Sequence, residues 1–153
     1  MKAIVTGFFA AAMLSATSAM ACTDWELPPT YGEATLSAGF TPDPHAIQMA
    51  AGGPVSLVDC RNEPGAGFIS EAPDYDLYWE GNGQLTIAFE ASEDTVLIVN
   101  GPDYEWYYND DYKGVNPAIV IPNAGPGLYD IWVGTIAPDS YPEGQLIITE
   151  LPY

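Results

Sequence analysis

The sequence predicts an all-β protein, a jelly-roll-like antiparallel β-sandwich of about eight or nine strands, and two observations support this fold class. Apolar and polar residues alternate with a period of two over most of the chain, which is the pattern of strands with one buried face. The 14 prolines and 15 glycines interrupt that alternation at frequent turns. Almost no segment after residue 21 has the periodicity of a helix.

Residues 1–21 have the pattern of a secretory signal peptide. Lys2 supplies a positive start, residues 3–14 are a short apolar run, and Ala19-Met20-Ala21 is a small-x-small cleavage site. The apolar run is too short to span a membrane. Cleavage after Ala21 leaves 153 − 21 = 132 residues, which predicts one exported domain over 22–153 with an N-terminal arm over 22–32. The alternative is a lipoprotein anchored through Cys22, although Ala19 stands where a lipobox has leucine.

The individual strands follow from the alternation and from the turns that separate them. In chain order the predicted strands are 34–40, 46–51, 55–60, 68–70 leading into 74–79, 85–89, 95–99, 117–121, 128–136 and 145–151. Gly52-Gly53-Pro54 predicts a hairpin between the second and third strands. The continuous apolar run 95–99 predicts a strand that is buried on both faces.

Strand 74–79 shows the alternation most clearly. Its odd-numbered residues are aromatic or aliphatic, whereas its even-numbered residues are Asp74, Asp76 and Tyr78. Successive side chains of a strand point to opposite faces. This strand is therefore predicted to be half buried, with the two aspartates on the solvent side.

The charge of the chain is extreme. After residue 21 there are two cationic side chains, Arg61 and Lys113, against 21 acidic ones, which is a net charge of −19. Such a surface repels phosphates and anionic lipids, so nucleic acid and membrane surfaces are excluded as partners. It attracts divalent cations and basic proteins, although solubility of an exported protein is a sufficient alternative reason for the charge.

Cys22 and Cys60 are the only cysteines. In an oxidising compartment they can form a disulfide, which would close a loop of roughly 40 residues and stabilise the fold by about 3–4 kcal/mol. A lipidated Cys22 beside a free Cys60 is the alternative.

No set of residues predicts catalysis. His45 is the only histidine and lies in a turn sequence, and the G-x-S-x-G motif of serine hydrolases is absent. Acidic residues are so numerous that any pair of them is uninformative. The protein is therefore predicted not to be an enzyme; the alternative is a hydrolase with a carboxylate-based site, which a pocket with two convergent acids would favour.

The densest acidic segment contains the candidate metal ligands. They are Asn109, Asp110 and Asp111, with Asp103 and Asp94 as further oxygen donors. Calcium binds six to eight such oxygens, so calcium is the cofactor that this loop predicts. The loop is not an EF-hand, because Lys113 and Val120 stand where that motif has ligands. The alternative is a solvated turn whose side chains cap their own backbone.

Aromatic residues precede this acidic loop. Trp106, Tyr107 and Tyr108 are predicted to bind a protein or carbohydrate ligand, because exposed aromatic side chains stack on such surfaces. The alternative for all three is packing within the sandwich, where aromatic residues are favoured.

Residues 68–151 resemble the bacterial pre-peptidase C-terminal (PPC) domain family. Two segments match motifs of the family. Asp94-Thr95-Val96-Leu97-Ile98-Val99 is similar to the family's Asp-x-Asp-Leu-Tyr-Val strand, and Gly127 to Val133 is similar to its Gly-Thr-Tyr-Tyr-x-x-Val strand. The shorter matching segments are 75–78, 85–87 and 146–148, and all five occur in the family's order. The resemblance implies a jelly-roll sandwich with an accessory or binding role.

A narrower resemblance covers nearly all of 22–153. The chain is similar to a group of exported bacterial proteins, sometimes classed as peptidases, through motifs at 24–27, 40–44, 51–53, 73–77, 106–111 and 129–135. Tyr108 stands where that group has a cysteine, which implies that Cys22 is the one partner left for Cys60. The leading hypothesis is a non-catalytic exported binding or accessory module that calcium stabilises. The alternatives are a hydrolase with a carboxylate-based site and a structural or assembly subunit that uses the aromatic loop as its interface.

Overall fold

The computed structural model describes residues 22–153. Eleven strands follow one another along the chain: β1 (Glu33–Leu36), β2 (His45–Ala50), β3 (Val55–Ser56), β4 (Phe68–Ile69), β5 (Tyr75–Trp79), β6 (Gly83–Ala91), β7 (Thr95–Asn100), β8 (Trp106–Asn109), β9 (Ala118–Ala124), β10 (Gly127–Thr135) and β11 (Glu143–Thr149). One 3₁₀ turn, Leu57–Asp59, follows β3. None of the residues from 22 onward forms a helix with the length and apolar character that crossing a membrane requires.

The strands form two sheets that face each other. In the seven-stranded sheet, β10 is central: β5 and the short β4 pair with one edge of it, and β7 pairs with the other. β1 extends this sheet beyond β5, and β8 extends it beyond β7. The four-stranded sheet has the order β2-β11-β6-β9 and is antiparallel throughout. The predicted all-β sandwich is confirmed, with β1 as the one parallel pairing.

The main core lies between the two sheets. It contains the inward-facing residues of every long strand, among them Leu77 and Trp79 of β5, Phe89 of β6 and Ile131 of β10, all at most 1% exposed. These are the odd-numbered residues of the alternating segments, so the period-two pattern did predict which side chains enter the core. β7 is buried along its whole length, as its continuous apolar sequence predicted.

A second apolar cluster covers part of the outer face of the larger sheet. Val96, Ile98 and Trp132 point away from the main core and pack against Val55 of β3 and Leu57 of the 3₁₀ turn that follows it. Trp106 and Tyr108 of β8 pack against the same cluster. This extra layer explains why β7 and the outward-facing side of β10 are buried.

Two details of the predicted fold are wrong. β2 and β3 do not form a hairpin, because β2 pairs with β11 in the smaller sheet and β3 pairs with β4 in the larger one. Gly52-Gly53-Pro54 instead carries the chain between sheets, and a side chain at Gly53 would collide with the backbone of Ile69 at 2.2 Å. The strand number also exceeds eight or nine, partly because Trp106–Asn109 is a strand and not a loop.

Candidate functional site

Four polar side chains line up across the outer face of the larger sheet. Glu33 of β1 is in register with Asp76 of β5, Asp76 with Asp130 of β10, and Asp130 with Asn100 of β7. Residues in register on adjacent strands point to the same face, and their side chains are neighbours. We call these four residues the carboxyl row.

The middle of the carboxyl row is buried. Asp76 is 6% exposed and Asp130 is 4% exposed, and the Oδ1 atom of each has no hydrogen-bond donor among the described residues. Burial, followed by the negative charge of Glu33, raises the pKa of Asp76 to about 6. Burial and the neighbouring Asp76 raise the pKa of Asp130 to about 7. Each carboxyl group lies beside the other, and the raised pKa values favour a protonated form of the pair near neutral pH.

A pocket of about 250 Å³ opens directly onto this row. Asn100 and Asp130 form its polar floor, and its walls are Trp25, Gly101, Pro102, Tyr104 and Leu128. Trp25 is 46% exposed and Tyr104 is 76% exposed, so both aromatic rings are available to a ligand. The arrangement of carbon-rich walls around a few convergent polar groups is typical of binding pockets.

The walls are held by specific backbone features. Tyr104 has a φ of 59°, in the left-handed region that bulky residues avoid, and its N–H donates to Gly101 O within a tight turn. Gly127 has a φ of 149°, and a Cβ there would lie 2.3 Å from the Cβ of Pro102. The absence of a side chain at Gly127 therefore allows Pro102 to pack against β10 at the pocket wall.

The N-terminal arm supplies the opposite wall. The N–H groups of Asp24, Thr30 and Tyr31 donate to carbonyls of residues 71–74, which fixes the arm beside β5. Trp25 packs edge-on against Trp106, with ring centroids 6.4 Å apart, and Trp106 packs against Trp132 at 5.6 Å. The predicted Cys22–Cys60 disulfide is confirmed, with Cα atoms 5.7 Å apart, and it fastens the start of this arm to the segment after β3.

Asp74 shows how a buried carboxylate is normally satisfied. It is 3% exposed, and burial raises its pKa to about 7 although its hydrogen bonds oppose that rise. Its Oδ2 accepts from Val133 N at 2.7 Å, and its Oδ1 accepts from the Ser70 hydroxyl at 3.4 Å. Asp74 therefore ties the start of β5 to β10, whereas Asp76 and Asp130 each have an oxygen without a donor among residues 22–153.

The predicted metal ligands do not all lie together. Asp103 precedes β8 whereas Asp110 and Asp111 follow it, and a four-residue strand separates its ends by roughly 13 Å. Asp94 and Asp110 both act on the Tyr108 hydroxyl, so these two lie at the same end of β8. Within residues 22–153, no three of the predicted acids place oxygens within 4.8 Å of one another.

Asn109 already has a structural partner, since its side-chain oxygen accepts from Ala118 N at 3.0 Å and so links β8 to β9. Calcium binding at this loop stays a prediction, with Asp94, Asp110 and Asp111 as its remaining acids.

The predicted aromatic binding residues are mainly packed. Trp106 lies between Trp25 and Trp132, and Tyr108 packs on the second cluster and donates its hydroxyl to Ala66 O at 2.9 Å. Tyr107 packs against the main core and donates its hydroxyl to Glu105. Their role in binding stays a prediction; Trp106 contributes to the pocket by supporting Trp25.

His45 lies away from the pocket. Its Nε2 is 3.0 Å from the Tyr75 hydroxyl, at the start of β2. Burial lowers the pKa of His45. Tyr75 points into the main core, so this hydrogen bond joins the two sheets and does not contact the carboxyl row.

The sequence pattern did not predict the residues of the pocket. Asp76 was expected to face solvent, Asp130 was expected to be an ordinary residue of strand 128–136, and Asn100 was not singled out. One signal was available: Asp76 and Asp130 are both acids within otherwise apolar strands, at Tyr75-Asp76-Leu77 and Tyr129-Asp130-Ile131. That signal marks unusual positions, but only the β5–β10 register places the two carboxyl groups side by side.

Comparison with known proteins gives structural similarities only. No protein-family model matches the chain, and no curated protein does. The chain is similar in structure to the pre-peptidase C-terminal domain of a collagenase from Bacillus anthracis, at 12% identity and a TM-score of 0.46, over 80% of this chain and 98% of that one.

A second similar structure is a periplasmic inhibitor of g-type lysozyme from Aeromonas hydrophila. It matches at 16% identity and a TM-score of 0.39, over 77% of this chain and 96% of the inhibitor. The first of these structures is a PPC domain, the kind of domain that the strand motifs resemble. At these identities and TM-scores, neither similarity says what this chain binds.

Proposed function

We propose that this protein is an exported, non-catalytic binding module whose ligand site is the pocket above the carboxyl row. The observation that carries the proposal is the pocket itself, with two exposed aromatic walls over a buried polar floor. Aromatic side chains that are exposed at such a pocket are the usual anchors of recognition surfaces. The left-handed backbone at Tyr104 costs on the order of 1–3 kcal/mol, and such costs concentrate at ligand sites.

Export is part of this proposal. The signal-peptide pattern lies in residues 1–21, outside the described residues, and the disulfide supports the same compartment because such bonds persist in oxidising surroundings. The Cys22 sulfur is held in that disulfide and cannot also carry a lipid. The soluble exported form is therefore favoured over the lipoprotein.

The test is a capture experiment with matched variants. The exported protein is immobilised and exposed to the native host's exported fraction, and retained molecules are quantified by mass spectrometry. We expect a ligand that is retained by the native protein and lost by the double variant Trp25→Ala, Tyr104→Ala. Tyr141→Ala is the control, because Tyr141 is 57% exposed but does not line the pocket. Equal retention by all three proteins would refute the pocket as the ligand site.

A hydrolase is the second candidate, because Asp130 lines the pocket and a second acid, Asp76, lies beside it in register on the adjacent strand. Two carboxyls that share one proton also occur in aspartic proteases. Asp76 itself does not line the pocket. Incubation with casein and with mixed polysaccharides from pH 4 to pH 8 tests this candidate. Turnover by the native protein that Asp130→Asn abolishes would establish it in place of the binding module.

A further inference from the structure

The floor of the pocket is acidic, and no cationic side chain from residue 22 onward lines it. The two cationic side chains after residue 21 are Arg61 and Lys113, and neither lines the pocket. The ammonium of Lys113 lies 3.7 Å from the ring centroid of Tyr153. Arg61 is exposed in the segment between β3 and β4. A buried carboxyl pair without a counter-ion is unfavourable once it ionises.

We propose that the pocket binds the ammonium or guanidinium group of a lysine or arginine side chain on a basic partner protein. This inference rests on the proposed function and names the ligand group of the same site. The charged head would lie against Asp130, whose buried Oδ1 has no donor among the described residues, and against the side-chain amide of Asn100 at the floor. The methylene stem would lie between Trp25 and Tyr104, whose ring faces attract cations.

The pocket suits an organic cation better than a metal ion. Calcium requires six to eight oxygen ligands, whereas this floor offers the Asp130 carboxyl group and the Asn100 amide, with Asp76 beside Asp130. Within residues 22–153, Asp76 and Asp130 do not belong to any cluster of three acidic, histidine or cysteine ligands. The walls are carbon-rich at Trp25, Pro102 and Leu128. Such walls pack favourably against an alkyl stem, but they offer no hydrogen bonds to the water molecules around a metal ion.

The charge of the whole domain selects the same class of partner. A net charge of −19 over residues 22–153 attracts basic proteins over long distances and raises their association rate. The pocket would then bind one side chain of that partner. The overall negative charge would increase the rate of encounter, and the pocket would determine which side chain is bound.

Binding of a cation should also expel the proton that the pair holds. The titratable groups that face the pair are Glu33 on β1 and Tyr78 on β5, and the Asn100 amide does not titrate. A positive charge beside Asp130 favours its ionised form, so the proton passes to the solvent as the ligand enters. Affinity should therefore increase from pH 5 to pH 8.

Small peptides with a single charge provide the defined probe. Acetyl-Gly-Lys-Gly-amide and its arginine analogue are titrated into the native protein, with acetyl-Gly-Gln-Gly-amide as the neutral control. The readout is the NMR signal of the Trp25 indole N–H, which reports on the pocket wall. We expect saturating shifts with the lysine and arginine peptides, and an affinity for the glutamine peptide that is weaker by about tenfold or more.

Two variants that each remove one carboxylate distinguish binding at the pocket from attraction by the overall charge of the domain. Asp130→Asn should weaken lysine-peptide binding by about tenfold, since a hydrogen bond to a charged group is lost, and should reduce its pH dependence to the part that Asp76 contributes. Glu143→Gln removes a charge from an exposed position on the smaller sheet and should change affinity by less than about twofold. Equal effects of the two variants would overturn the inference.

Two further outcomes distinguish this inference from its alternatives. In the first outcome, calcium alone binds saturably, as seen at the Trp25 signal, it prevents binding of the lysine peptide, and its binding is lost in Asp130→Asn. The carboxyl pair would then be a metal site, and the inference would be overturned. Absence of lysine and arginine binding, together with pocket-dependent capture of a ligand from the host, would overturn the cationic ligand while leaving the binding module intact. Failure of both experiments would refute the proposed function itself.

Discussion

The carboxyl row and the acidic loop after β8 have the same kinds of residues but opposite surroundings. Asp76 and Asp130 are at most 6% exposed and lie on two strands in the interior of a sheet. In contrast, Asp111 is exposed and Asp110 is half-buried, and both follow an edge strand. The row has the raised pKa values and the unpartnered oxygens, and it faces a pocket. The number of acids in a segment is therefore a poor guide to a site, because burial and register decide which acids are perturbed.

The largest expected effect concerns Asp130. Burial raises the pKa of Asp130 to about 7 and that of Asp76 to about 6, above the ordinary value of 3.8. The folded protein then holds protons that the unfolded chain releases. The stability that these groups contribute is present below about pH 4 and is lost as pH rises through about 6 to 7.

Asp130→Asn should therefore raise the free energy of unfolding at pH 8 by about 2–4 kcal/mol and leave it little changed at pH 4. Urea unfolding at both pH values provides the measurement. Asp74 also has a pKa raised to about 7, so part of the pH dependence should persist in the variant. Asp111→Asn is the control from the acidic loop and should change stability equally at both pH values. A variant Asp130→Asn that is less stable than the native protein at pH 8 would show that the ionised pair is well solvated.

The two regions also differ in how far the sequence predicts them. The period-two alternation predicted the core-facing residues of β5, β6 and β10, because one face of each strand meets the other sheet. The alternation correctly predicted that Asp76 points to the opposite face of the sheet, but that face was expected to be exposed to solvent. The arm over 22–32 lies against this side of the sheet at Trp25, and β1 pairs with the edge of β5. Both depend on pairings between residues distant in sequence, which a local pattern does not contain.

β8 was missed for a related reason. Trp106–Asn109 lies between dense turn and acidic segments and pairs with β7 on one side. A strand with one paired edge and half-buried residues on both faces has no clear alternation, so it resembles an aromatic loop in sequence. The disulfide was predictable since the chain has two cysteines, although the sequence did not reveal that it would position a pocket wall.

The second prediction concerns Asn109, which belongs to the acidic loop but has a buried partner. Its side-chain oxygen accepts from Ala118 N and links β8 to β9 across the edge of the sandwich. Asn109→Ala removes the acceptor of a backbone N–H and should lower the free energy of unfolding by about 1–2 kcal/mol. Asp110→Ala is the neighbouring control and should cost less than about 0.5 kcal/mol if the acids are solvated. Equal losses from the two variants would mean that the loop acts as one structured unit.

The smallest expected effect is that of calcium on the acidic loop. Asp103 lies at the far end of β8 and Asn109 is engaged with Ala118, so Asp94, Asp110 and Asp111 remain as candidate side-chain ligands. This set is incomplete for calcium, which predicts a weak site and a rise in melting temperature of about 1–2 °C at millimolar calcium. Differential scanning calorimetry of the chain over residues 22–153 measures this rise.

Magnesium at equal ionic strength is the control for that measurement, because any divalent ion screens the repulsion of a chain with a net charge of −19. Magnesium holds its water shell and requires octahedral geometry, so a calcium site in a loop should respond to it less. We expect the excess of calcium over magnesium to disappear in Asp111→Asn and to persist in Asp130→Asn, since the two acids belong to different regions. If the greater effect of calcium over magnesium disappears only in Asp130→Asn, the assignment of the two regions is reversed. The carboxyl row would then be the metal site, and the acidic loop would be a solvated turn.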